Sequence, residues 1–151
     1  MVTQLAYEVE GWGVGELVLE DDRVVWHELP KPTVVEAHGN HPVVELLRAY
    51  FAGEDVALDD VPVDLEYDSL FFTRCAEALR SVPRGETVTY GELAALAGAP
   101  GAARAAGTFC ARNRLGLFVP CHRVVAAGDL GSYGSLGIAY KRRLLEHEGA
   151  L

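Results

Sequence analysis

The stretch TVTYGELAALAGAPGAARAAGTFCARN, residues 87–113, carries two helical segments with a breaker between them. Thr89 and Glu92 stand three apart, the spacing of a capping box that satisfies two free N–H groups at a helix start, and Gly98 suits the position just past that helix's end. After the tight Gly-Ala-Pro turn, GAARAAGTFCARN reads as a second helix, rich in small residues and ending near Asn113. Two short helices so joined form a helix-turn-helix, whose second member conventionally enters a DNA groove. Small residues from Ala102 to Gly107 would let that helix approach a sugar-phosphate backbone, with Arg104 projecting. The same segment serves equally as an ordinary α-hairpin whose alanines pack on a neighbouring helix.

Outward toward the N-terminus, SLFFTRCAEALRSV places Leu70, Phe71, Ala78, Leu79 and Val82 at helical spacing before Pro83 and turns Cys75 and Ala76 into a core, which makes Cys75 structural. Leu5, Tyr7 and Val9 alternate with polar or small residues, and ELVLE and RVVWHEL flank the turn Asp21-Asp22, so the chain begins as a small antiparallel sheet. HPVVELLRAYFAG then reads as an amphipathic helix with Pro42 in its first turn and Gly53 at its end. The acidic run EDVALDDVPVDLEYD has the composition of an exposed connection. It divides the chain into an N-terminal α/β subdomain, residues 1–66, and a mainly helical C-terminal domain, residues 67–151.

Charge is divided the same way. Residues 1–68 hold sixteen acids against three bases, and residues 69–151 hold six acids against ten bases. Between Glu92 and Asp129 the only charged residues are Arg104, Arg112, Arg114 and Arg123, a positive patch suited to a polyanion. No apolar run reaches the roughly 20 residues of a membrane span, and the first residues lack a leader pattern, so a soluble cytoplasmic protein is expected. Three widely spaced cysteines, Cys75, Cys110 and Cys121, argue for free thiols rather than a disulfide scaffold or zinc ribbon. His27, His38 and His41 lack the matching cysteines of a metal site, and no metal is expected.

Downstream, FVPCHRVV, residues 118–125, sets Cys, His and Arg in a row inside an apolar run. Buried polar groups need partners, so this stretch is either a solvated loop or a reactive site. With FTRCAEALRSVPRGETVTYGELAALAGAPGAARAAG before it and YKRRLLEHEG after it, the C-terminal half resembles the O6-alkylguanine-DNA alkyltransferase family, the methylated-DNA–protein-cysteine methyltransferases. The resemblance implies a ribonuclease H-like N-terminal subdomain and a winged-helix-like C-terminal domain. The domain would bind the minor groove of double-stranded DNA, flip out an O6-alkylguanine and move the alkyl group onto its own cysteine once, with no cofactor and no need of a dimer.

Residue by residue, the resemblance makes Cys121 the nucleophile, His122 its base through a water, and Glu148 the group orienting the imidazole. A thiolate suits alkyl displacement, yet a free thiol is mostly protonated at neutral pH, so a base is required. Direct contact between Cys121 and His122 is not expected, because neighbours on an extended segment point to opposite sides. Tyr90 would protonate the leaving guanine. Arg104 would fill the gap in the base stack, Asn113 would link the recognition helix to the active-site segment, and Ala103, Gly107 and Arg112 would meet the DNA. Pro120, Val124, Tyr133, Gly134 and Ser135 would line the base pocket, and Arg123 would brace the loop. Arg114 and the run Lys141-Arg142-Arg143 read as solvated phosphate contacts. The segment SYGSLGIAYK departs from the Tyr-Ser-Gly-Gly-like pattern of many relatives, which leaves open which amide meets O6 and which alkyl sizes fit. A non-catalytic lesion binder would lack Cys121. A winged-helix regulator would need neither PCHRV nor Glu148, and a Cys-His hydrolase would need another orienting residue.

Overall fold

Two compact units make up the chain in the computed structural model, which describes residues 1–151: Met1–Asp64 with Arg114–Phe118, and Leu65–Asn113 with Val119–Leu151.

In the first unit, strands β1 (Val2–Val9), β2 (Gly13–Glu20) and β3 (Arg23–Lys31) form an antiparallel sheet in the order β1-β2-β3. Asp21 and Asp22 both take left-handed φ, +50° and +65°, as a two-residue hairpin following the strands' twist requires. Gly15 sits opposite Tyr7, and a Cβ there would lie 2.7 Å from the tyrosine ring, so the missing side chain lets that ring lie across β2. Alternation buries Leu5, Tyr7, Leu17, Leu19 and Val24 on one side of the sheet's strands. Helix α1 (Pro42–Phe51) starts where the His41 ring accepts the Val43 N–H, and it buries Val43, Val44, Leu47, Tyr50 and Phe51. The acidic run after it is less exposed than its composition implies. Leu58 and Val61 are buried and Val63 bridges to Val24, because two apolar residues at the right spacing outweigh the acids around them.

The second unit begins with α2 (Leu70–Arg80), capped by Ser69, whose hydroxyl accepts the Phe72 N–H. Cys75, Ala76 and Leu79 face inward as the spacing required, whereas Leu70, expected in the core, is 64% exposed, because at about 100° per residue it falls on the face opposite Leu79. Strand β4 (Val88–Thr89) leads into α3 (Tyr90–Leu96) through the expected Thr89–Glu92 capping box. Gly98 takes φ +87° after α3, and α4 (Ala103–Arg112) follows. Helix α4 has two faces: Ala106 and Phe109 are fully buried, while Arg104, Thr108 and Arg112 face outward. Phe109 meets Tyr67 and Phe72 edge-on, each with ring centroids 5.5 Å apart. Strand β5 (Val124–Val125) pairs parallel with β4, and α5 (Ile138–His147) closes the chain. No helix is long and apolar enough to cross a membrane.

Candidate active site

Residues Cys121–Arg123 form one turn of 3₁₀-helix, not the extended segment expected, because Pro120 takes φ −80°, ψ 69° and the Arg123 N–H closes on the Pro120 carbonyl at 2.9 Å. Successive side chains therefore fan around a turn. Cys121 is 7% exposed and His122 is fully buried.

Asn113, the residue that ends α4, donates from its amide to the Val119 carbonyl at 2.8 Å, and the Cys121 N–H donates to that same oxygen at 2.8 Å. One carbonyl thus fixes the Cys121 backbone relative to the end of α4. Burial pushes the Cys121 thiol above its ordinary value, while hydrogen bonds with Asn113 and Tyr133 and the positive Lys141 pull it back.

His122 Nε2 lies 2.7 Å from Glu148 Oε2, at the residue following α5. A carboxylate only accepts, so Nε2 carries the proton and Nδ1 holds a lone pair. That Nδ1 is buried with no hydrogen-bond partner in the protein. Burial lowers the His122 pKa, with Glu148 opposing, so the ring stays a neutral base. Burial alone would raise Glu148, but its bonds to His122 and Arg123 hold it well below the usual carboxylate range. Arg123 reaches Glu148 with Nε at 2.9 Å and Nη2 at 3.0 Å, and its Nη1 donates to the Val82 carbonyl at 2.8 Å. Within the second unit that takes Arg123 out of the positive patch read from sequence, and in the first unit Arg114 pairs with Asp64 at 3.4 Å. Arg104 and Arg112 remain outward on α4.

Lys141 overturns its reading as a solvated phosphate contact. It is fully buried and donates from Nζ to the Val124 carbonyl at 2.5 Å and the Ser132 carbonyl at 3.1 Å. The ammonium also stands 5.7 Å from the centre of the Tyr90 ring. Lys141, Leu144, Leu145 and Glu148 recur at i, i+3, i+4 and i+7, and that spacing would have placed the lysine on the inward face of α5. Lys141 ties down the chain on both sides of the thiol's pocket and supplies the nearby positive charge.

Tyr90 opens α3 and lines two adjoining spaces. One is an open groove of about 730 Å³ against α4, lined by Ala103, Arg104, Gly107 and Thr108, with Asp129, Gly131 and Ser132 opposite. The other is an enclosed cavity of about 20 Å³ lined by Cys121, Cys110, Tyr133 and Gly134, with room for about one solvent molecule. Sequence reading missed Cys110, Gly131 and Ser132 as lining residues. Burial raises the Tyr90 hydroxyl, the Cys110 thiol adds to this, and hydrogen bonding with Ser132 opposes it. Tyr133 stacks on Tyr140 at 6.3 Å, while Gly134 and Ser135 are exposed. Pro120 and Val124 are buried; the Val124 carbonyl takes the lysine and its N–H meets the Cys121 carbonyl.

Residues 70–150 match the family model described as 6-O-methylguanine DNA methyltransferase, DNA binding domain. A methylated-DNA–protein-cysteine methyltransferase of Mycobacterium tuberculosis is 50% identical over 106 residues, 70% of this chain and 62% of that protein, so the match spans less than two thirds of the relative's length. One of the same name from Metallosphaera sedula is 38% identical over 138 residues, 89% of this chain and 86% of the other. The crystal structure of Mycobacterium tuberculosis OGT in complex with DNA superposes with a TM-score of 0.80 at 36% identity, covering 96% of this chain and 92% of that one.

Proposed function

Because the chain belongs to the 6-O-methylguanine DNA methyltransferase family, we propose that it repairs DNA by moving the alkyl group of O6-alkylguanine onto Cys121, once per molecule and without a cofactor. The observation that carries this reading is the neutral His122, oriented by Glu148 through one nitrogen and left with a buried, unpartnered lone pair on the other, next in sequence to a buried thiol. An unpaired buried acceptor costs about 1–3 kcal/mol, and chemistry is the reason to keep one.

In the reaction, His122 Nδ1 takes the Cys121 proton through one water, and Glu148 stabilises the resulting imidazolium. The thiolate attacks the alkyl carbon, a C–S bond forms and the C–O6 bond breaks. Guanine leaves with the electron pair and gains a proton from the Tyr90 hydroxyl. Sulfur suits the step because it is soft and strongly nucleophilic. A thioether has no route back, so the protein is consumed.

The alkylated base reaches the thiol by extrusion from double-stranded DNA lying in the groove against α4. Arg104 takes the vacated place in the stack, while Ala103 and Gly107 permit close approach to the backbone and Arg112 neutralises phosphate. Pro120, Val124, Tyr133, Gly134 and Ser135 frame the base. The 20 Å³ cavity is too small for a purine, so its walls must open to admit the base. Residues 67–151 then act as a winged-helix-like DNA module and residues 1–66 as a ribonuclease H-like one, in a cytoplasmic monomer.

The test is incubation with duplex DNA carrying O6-methylguanine, followed by intact-mass and peptide measurement. One added methyl group, on Cys121, with no second turnover, is expected. Cys121→Ser should still bind the lesion and transfer nothing; a Cys121→Ser protein that acquires the methyl group overturns the assignment.

A further inference from the structure

The alkyl-transfer mechanism leaves a second buried histidine unused. His27, on β3, is 4% exposed, and both its ring nitrogens are engaged: Nδ1 lies 2.7 Å from the Gly116 carbonyl and Nε2 lies 2.5 Å from the Tyr7 hydroxyl. A carbonyl only accepts, so Nδ1 carries the proton and Nε2 accepts from the tyrosine. Desolvation drops the His27 pKa to about 4, which keeps this tautomer neutral at physiological pH.

The bond partner sits in an unusual segment. The chain leaves the second unit after Asn113, runs through the first as Arg114–Phe118, and re-enters the second at Val119. His27 holds that segment three ways: its backbone N–H donates to the Arg114 carbonyl at 2.8 Å, its ring donates to Gly116, and Phe118 stands edge-on to the ring with centroids 5.2 Å apart. Next to Gly116, Leu117 takes φ +73°, a left-handed conformation that a leucine keeps only when its surroundings impose it. The two ends of the segment are joined by the Asn113 amide on the Val119 carbonyl, the oxygen that also receives the Cys121 N–H.

We propose that His27, held by Tyr7, is a positioning residue for alkyl transfer: by gripping Gly116 it keeps the strained 114–118 segment in the shape that sets the Val119 carbonyl, and through it the backbone of Cys121. The inference rests on the alkyl-transfer reading above.

The experiment is single-turnover transfer from duplex O6-methylguanine DNA at saturating and sub-saturating concentrations, with each rate corrected for the folded fraction. His27→Phe keeps a ring and removes both polar contacts. It should lower the saturated rate constant about tenfold or more, since a small misplacement of a reacting group costs up to about a hundredfold, and leave the half-saturating DNA concentration within about twofold. His27→Asn, which returns an amide donor near the place of Nδ1, should recover most of the rate. Leu47→Ala in α1, a destabilised control remote in sequence from 114–118, should transfer at the wild-type rate per folded molecule. If His27→Phe does not fold, Tyr7→Phe takes its place and should slow the saturated step about threefold. A His27→Phe rate equal to that of Leu47→Ala, or no gain in His27→Asn over His27→Phe, overturns the proposal. A wild-type protein that transfers no methyl group sinks the alkyl-transfer reading itself, a result separate from any ranking of the variants.

Discussion

His27 in the first unit and His122 in the second are both buried and both neutral, and they differ by one hydrogen bond. His27 spends both ring nitrogens on the protein, on Tyr7 and Gly116. His122 spends one on Glu148 and keeps the other unpaired. A fully satisfied buried imidazole holds structure in place. One with a lone pair left over keeps capacity for a proton, and that ring is next in sequence to Cys121. The carboxylate that orients His122 is itself held by Arg123, whereas His27 has only neutral partners.

The largest expected effect sharpens this contrast. His122→Phe should lower the transfer rate about 10²–10⁴-fold, the usual loss when a general base is removed. In the same single-turnover assay that loss should exceed the His27→Phe loss by at least about tenfold. Equal losses would mean that both rings act by holding structure, and the comparison would fail.

Of middle size is the effect of Arg104, which is outward on α4 and lines the open groove. Arg104→Ala should slow repair of duplex about tenfold and leave reaction with the free alkylated base nearly unchanged, because only the duplex demands extrusion of a nucleotide. Measuring both substrates decides it: parallel losses would place Arg104 in the thiol's chemistry and remove its role in opening the stack.

An effect of a different kind is on stability. The folded-state pKa of His27, about 4, lies below its ordinary 6.5, so the folded chain binds fewer protons there than the unfolded one. Its contribution is complete above pH 6.5 and is lost as pH falls toward 4, a drop of about 3 kcal/mol in all. The lowered pKa values of His122 and Glu148 have the same sign, with Glu148 acting at more acid pH. Urea unfolding at pH 7.5 and 4.5 should show a smaller acid loss in His27→Phe than in wild type. An unchanged loss would show that His27 does not resist protonation when folded.

Local signals carried much of the fold. Ser69, the Thr89–Glu92 box and Gly98 mark helix ends through bonds that span at most a few residues, and a two-residue turn at Asp21-Asp22 settles a hairpin by its own geometry. Leu70 and Lys141 escaped because burial is decided by what packs against a residue. A leucine on the face opposite Leu79 is left outside, and a lysine on an apolar helix face goes inside when two carbonyls wait for it. The arginine-rich stretch read as one patch because sequence shows charges but not their partners. Asp64 lies fifty residues before Arg114, and Glu148 lies twenty-five after Arg123.

The amino-acid sequence alone determined the helix-turn-helix, the sheet at the start of the chain and, by resemblance, the family, because these rest on short-range periodicity, capping and a contiguous motif. Tertiary structure decided which lone pair stays empty, which lysine is buried and which five residues cross into the other unit. The bond between His27 and Gly116 spans eighty-nine positions, and no local rule encodes a contact that exists only once the chain has closed on itself.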